Sequence, residues 1–465
     1  LDCFPTVGPS GLFGAIRFLT HSLEIVQEGY EKHKTGVFKV ADLTHRWTVV
    51  LNRSHLDDIG RASDTELSFG EAANENIQVQ YTLSPAILHD MYHNSILRSQ
   101  LTRNLGAVYP DIRNELVVAF EETLDLKADE WKSITAIEMI RNVVCRISNR
   151  TFVGLPLCRD PEWVDLNTQL TVAVVKEGAL LMWLPKFIRP LASKWITRRT
   201  ERISRAARQL ESIIKDRQRH MKEYGKEWSD KPNDLLQWCM DKGRENSVDQ
   251  LAVRMMAINF AAIQVRGFAQ ALYILAMDPQ YAEMLREEVE TIVKEHGWTK
   301  EALTHMRKID SFLKEVQRFE GPAVLVGVPR KVLQDAKLSD GTVIPKGTFV
   351  SLPTYAIHHD HDIYEHPDVF DPLRFVRLED TKQGPEARFQ LVAVSRDSLT
   401  FGFGKSACPG RFFAGVVMKS ILAHVVVEYD VKLDEGTSPH QKSIRFGAHL
   451  VPNPATRIVF RKRGA

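Results

Sequence analysis

Hydrophobic positions along this chain mostly recur every three or four residues, the spacing that places them on one face of a helix. Residues 12–34 read as an amphipathic helix that stops near Gly36. Residues 110–150 and 195–220 carry the same spacing, with Ile196, Ile203, Leu210, Ile213 and Ile214 at helical intervals in the second. Residues 250–275 are apolar on most sides, which predicts a helix buried in the core. The run 279–296 predicts another, with Leu285, Val289, Ile292 and Val293 inward and Glu287, Glu288 and Glu290 outward. A further helix runs from Phe412 to about Tyr429. Short strands are predicted at Val37–Val40 and Thr48–Leu51. Between 322 and 354 the pattern changes. Val324, Leu325, Val326 and Val328, then Gly341, Pro345 and Gly347, predict short strands joined by tight turns. The expected fold class is mainly α with small β-sheets (α+β).

Composition changes this picture little. The chain has 465 residues, 44% apolar and 26% charged, which is ordinary for a globular protein. No Gly/Ser-rich or Pro-rich linker divides it, so residues 1–465 read as a single domain. A formal net charge of +2 gives no argument for nucleic-acid binding. The five cysteines are far apart and form no CxxC pair, which disfavours a disulfide framework or a zinc site. No apolar run approaches the roughly 20 residues that cross a bilayer. Pro5, Gly8, Pro9 and Gly11 read either as a stiff hinge or as a disordered start.

The strongest chemical signal is Phe401-Gly402-Phe403-Gly404-Lys405-Ser406-Ala407-Cys408-Pro409-Gly410. Gly404 and Gly410 permit close backbone approach, which suits a loop passing a flat cofactor. A cysteine just before a helix has its thiolate favoured by the helix dipole and by loop N–H groups. A lone cysteine in a turn is more often a small buried apolar residue. Earlier, Glu315-Val316-Gln317-Arg318 puts an acid and a base on one helix face, a pair that by itself also occurs on many solvated helices.

Taken together, Phe401, Gly404, Cys408 and Gly410 resemble the haem-binding loop of the cytochrome P-450 family. Glu315 and Arg318 resemble its ExxR motif, and Phe370-Asp371-Pro372-Leu373-Arg374-Phe375 the segment that supplies a third partner. The resemblance extends over most of the chain, including Asp340–Gly347. Ser311–Glu315 and Ala407–Ala414 are most similar to fungal microsomal members of secondary metabolism. It implies haem b (iron protoporphyrin IX) between the long central helix and the cysteine-loop helix, with Cys408 as the metal ligand. It implies a structural network of Glu315, Arg318 and Arg374. Arg98 and Arg330 are its candidate propionate partners. Two departures stand out: Asn94 where a Trp is usual, and Ser406 where His or Arg is common.

The run Ala261-Ala262-Ile263-Gln264-Val265-Arg266-Gly267 departs further. Family monooxygenases usually carry small residues, then an acid and a Thr that relay protons to dioxygen. Ala261 and Ala262 supply the small residues, but Gln264 stands at the acid and Val265 at the Thr. Valine cannot donate a proton. Three readings follow. Monooxygenation persists, with Gln264, water or a substrate hydroxyl organising the protons. Alternatively, the haem serves an isomerase, cyclase or peroxygenase, with Arg266 holding a substrate carboxylate. In the third, Arg266 points to solvent or to a distant carboxylate.

By the same resemblance the pocket is lined by residues 82–92, 180–187, 261–265 and 323–328 (Ala323, Val324 and Leu325 among them), with a last turn at 447–451. The lining is apolar, so the expected substrate is an apolar, terpenoid-like or similar secondary metabolite. The expected electron donor is an NADPH-dependent flavoprotein reductase, cytochrome b5 being a further candidate, docking on a basic face of Lys405, Arg411 and Lys419. Residues 182–189 have the composition of a loop dipping into a membrane. The expected location is the cytosolic face of the endoplasmic reticulum, with an anchor upstream of residue 1. A non-catalytic haem sensor or carrier, and a helical scaffold without cofactor, are the competing classes.

Overall fold

The structure is a computed structural model that describes every residue except 44–45, 226–227, 244–245, 264–265, 322, 326–328, 382–385, 438–442, 452 and 465. Its first helix, Gly11–Lys32, buries Phe18, Ile25, Val26 and Tyr30. Gly29 is required there, because a Cβ would collide with the ring of Phe38. Helix and ring close over a five-stranded sheet ordered Val37–Asp42, Arg46–Leu51, Phe349–Ser351, Arg330–Val332 and Leu67–Ser68. The second and third strands are parallel, with Val49 opposite Val350. The Pro/Gly-rich start is ordered. The Val7 N–H donates to Lys39 O at 3.0 Å, the Lys39 N–H to Pro5 O at 2.9 Å, and Phe4 and Val7 are buried.

The rest is a helical body around one large apolar cluster, so the mainly α architecture with small sheets holds. Four readings need correction. Residues 110–150 are not one helical stretch. Helix Thr102–Leu124 ends at Asp125, whose positive φ of 43° turns the chain out. Strand Lys132–Thr135 follows and pairs with Arg457–Lys462 before helix Ala136–Phe152 begins. The apolar run 250–275 is two helices, Val248–Ala262 and Arg266–Met277, because Ile263 leaves helical geometry at φ −84°, ψ 42°. By length and composition the combined run Val248–Met277 could cross a membrane after all, yet half of its apolar window is buried inside the fold. Glu288 does not face out. Its carboxylate accepts the Lys308 and Ile309 N–H groups at 2.6 and 2.9 Å and so caps helix Arg307–Phe319.

Candidate active site

Helix Arg307–Phe319 is strongly one-sided, and Glu315 lies completely buried on it. A buried carboxylate is tolerated only with partners, and here it has several. Arg318 donates to both of its oxygens at 2.8 Å. The Arg374 Nε bridges the same two oxygens at 3.1 and 3.2 Å, and the Asp371 N–H adds a bond at 3.1 Å. The expected triad is therefore assembled.

The network continues to the cysteine loop through a residue that sequence reasoning missed. Arg318 Nη1 donates to the His358 carbonyl at 2.6 Å, and the Leu399 N–H donates to His358 Nε2 at 3.1 Å. Burial, helped by the Arg318 charge, pushes the His358 pKa down to about 3. The ring is thus neutral, and the Leu399 bond assigns its proton to Nδ1. Leu399 O accepts the Gly402 N–H at 2.8 Å, and Phe401 O accepts the Cys408 N–H at 2.8 Å. Gly402 and Gly404 have φ of 79° and 63°. At Gly404 any Cβ would strike the Gly60 backbone. Lys314, also buried, donates to the carbonyls of Arg388 and Gln390 at 2.8 and 2.9 Å and so fixes the chain leading to this loop.

Burial pushes Cys145, Cys158 and Cys239 up to about 12, which makes them inert thiols. Burial raises Cys408 too, but backbone N–H groups of Gly410 and Arg411 and the charges of Arg411 and Arg98 oppose it. Gly410 sits just ahead of helix Arg411–Glu428. A sulfur held this way would suit an iron ion, whose charge would favour the thiolate.

Arg98 Nη2 donates to Lys405 O at 2.8 Å, so the structure brings Arg98 to the cysteine loop. Arg330 is buried with its guanidinium 5.1 Å from the Phe69 ring centre, and burial lowers its pKa to about 10. A carboxylate would relieve that cost, so Arg330 suits a haem propionate, and Arg98 lies exposed against the cysteine loop. Ser406 ends the short turn Gly404–Ser406, and Asn94 makes a weak contact to Met91 Sδ at 3.6 Å.

On the opposite wall, helix Val248–Ala262 is buried from Leu251 to Asn259, then opens at Ala261 and Ala262. Gln264 and Val265 lie outside the described residues, as do Val326 and Val328. Arg266 is half-buried, and desolvation lowers its pKa. His449 is exposed, yet desolvation together with the Arg266 charge takes its pKa down to about 4. His449 also bridges Ala323. Arg266, His449 and Ala323 are therefore neighbours. Val324 and Leu325 are buried in a cluster with Phe18, Val26, Phe38 and Leu450.

The basic face needs a correction as well. Lys405 is exposed, and Arg411 stacks 4.4 Å from the Phe412 ring, but Lys419 is buried 2.7 Å from Asp310. In contrast, Trp183, Phe187 and Trp195 are 70%, 83% and 86% exposed.

The profile of the cytochrome P450 family matches residues 6–460. This chain belongs to the cytochrome P450 family. The P450 is similar to curated fungal proteins. It is 38% identical to cytochrome P450 monooxygenase 151 of Postia placenta, over 100% of this chain and 94% of that protein. It is 32% identical to a cytochrome P450 monooxygenase of Ganoderma lucidum, over 100% and 92%. A third, from Penicillium canescens, is 34% identical over 98% and 86%. The P450 is accordingly an oxidoreductase of the monooxygenase type that binds haem b and works with a small-molecule substrate and a redox partner.

Proposed function

We propose that Cys408 is the axial haem ligand of a monooxygenase that oxidises an apolar, terpenoid-like secondary metabolite. Arg98 and Arg330 hold the propionates, Phe401, Gly404, Ser406 and Gly410 shape the cradle, and Glu315, Arg318 and Arg374 brace it. The bound haem supplies activation of dioxygen, with electrons from NADPH through a flavoprotein reductase. The whole of residues 1–465 acts as one catalytic domain. The observation that carries this reading is the unbroken polar chain from Glu315 through Arg318, His358 and Leu399 to the loop around Cys408.

In this reading Ala261 and Ala262 leave room for substrate, and Gln264 and Val265 sit at the relay positions. An arrangement without Thr at 265 needs its protons from water, from Gln264 or from a substrate hydroxyl. Trp183, Phe187 and Trp195 support attachment to a membrane, which we place at the cytosolic face of the endoplasmic reticulum.

A second reading has a specific observation in its favour. Arg266 lies half-buried beside His449 rather than in solvent. A cation there suits a substrate carboxylate and a peroxide-driven or redox-neutral reaction. The test compares turnover of apolar metabolites with reductase and NADPH against turnover with peroxide, or with neither. NADPH-dependent oxidation supports the first reading, and product without NADPH supports the second. A thiolate-type Soret maximum in the reduced carbon monoxide complex is expected in both. Its absence overturns the ligand assignment.

A further inference from the structure

The side of the protein that carries Cys408 also holds a cavity apart from the proposed haem site. A cavity of about 380 Å³ lies between helices Lys300–His305, Arg307–Phe319, Arg374–Asp380 and Arg411–Glu428. That volume falls within the roughly 300–1,000 Å³ typical of small-molecule sites. None of its lining belongs to the segments expected around the substrate. Its lining is mixed: Leu105, Leu303, Phe375, Phe389, Phe412 and Val416 are apolar, and polar or charged residues, Lys300, Arg307, Asp310, Glu379 and Lys419 among them, make up about half.

The charges of the cavity are unevenly engaged. Asp310 gives one oxygen to Lys419 at 2.7 Å and the other to the Leu391 N–H at 2.5 Å. Glu379 accepts from Arg307 at 2.8 Å. The acids are thus occupied by protein groups. Lys300, exposed on the lining, makes no ion pair among the described residues. Buried Lys419 uses one of its three donors on Asp310. A half-apolar cavity whose acids are engaged and whose Lys300 has no ion pair among the described residues complements one chemistry.

We propose that this cavity binds an anionic amphiphile of medium chain length, its tail against Phe375, Phe389 and Val416 and its carboxylate at Lys300. The occupant presses on helix Arg411–Glu428, whose first N–H groups face the Cys408 sulfur. The site is therefore placed to sense the cysteine side independently of substrate.

The experiment titrates decanoate into the haem-loaded protein by calorimetry, with 4-phenylimidazole at saturation to fill the iron face opposite Cys408. Decanoate is expected to bind once, with submillimolar affinity. Decanol should bind about tenfold more weakly, and Lys300→Glu should weaken decanoate by about tenfold. Thr304→Trp, at an exposed position on the lining, should abolish binding by filling the space while leaving the carbon monoxide spectrum intact. Absence of binding to the native protein, undiminished binding to Thr304→Trp, or equal affinity for decanol overturns the proposal.

Discussion

The two sides of the proposed haem site are constructed in opposite ways. On the cysteine side, position is set by directed polar contacts. One carboxylate takes two guanidinium groups and a backbone N–H, and a neutral histidine hands the arrangement on to the loop. On the opposite wall, position is set by shape. A buried helix ends at Ile263 in small apolar residues, and one cation, Arg266, lies beside His449. The first construction holds one geometry tightly and has little freedom to change. The second can exchange residues at little structural cost, which is where a family with one cofactor can vary its substrates and reactions.

Removing a member of the polar side should give the largest effect. Glu315→Ala strands two arginines in the interior, at a cost of about 3–5 kcal/mol. The expected outcome is a sharply lower denaturant midpoint and little retained haem. Cys408→Ala should keep the fold more nearly intact while losing the thiolate Soret maximum and all turnover. Equal stability of the two variants would remove the distinction between bracing and ligation.

Acid should act next, through buried histidines. His358 and His424 are depressed to about 3, and His93 and His359 to about 4, chiefly by burial. Below an unfolded pKa of about 6.5 the unfolded chain takes up protons that the folded one refuses. Stability is therefore full above that value and falls as the pH drops toward 4, by up to about 1.4 kcal/mol per pH unit for each group. Urea midpoints at pH 7 and pH 5 measure this. His358→Gln should flatten the slope by one group's share, and an unchanged slope would mean that His358 is not held neutral.

The same contrast explains what could be read in advance. Glu315, Arg318, Arg374 and Cys408 announce themselves because charges and a thiol in a fixed order are rare. His358 acts through a carbonyl and a backbone N–H, and neither leaves a mark in the chain. Lys419 looked solvated because its partner Asp310 lies 109 positions away. The end of the helix at Ile263 was hidden by apolar residues continuing on both sides. Strand Lys132–Thr135 was hidden because its partner is Arg457–Lys462, at the far end of the chain.

Away from both walls, Trp183→Ser and Phe187→Ser should each reduce binding to phospholipid vesicles. Full insertion of such a side chain is worth roughly 1.5–3 kcal/mol, so a loss of about tenfold is expected in a sedimentation assay. Unchanged binding would leave those aromatics without a membrane role.

The smallest effects should come from the shape-determined wall, and they bear most directly on reaction type. Val265→Thr adds one hydroxyl at the relay position and is expected to leave the stability and the Soret maximum unaltered. If protons reach oxygen through this position, the fraction of NADPH electrons recovered in product should rise by about twofold to threefold, a barrier change below 1 kcal/mol. Arg266→Leu removes the cation beside His449. Under the peroxide-driven or redox-neutral reading it should raise KM for a carboxylate-bearing substrate while leaving a neutral analogue unaffected, since only an anion gains from that charge. A variant pair in which Val265→Thr alters coupling and Arg266→Leu does not alter KM selects monooxygenation. The reverse pair selects the alternative, because each substitution removes or supplies a contact that only one of the two reactions uses.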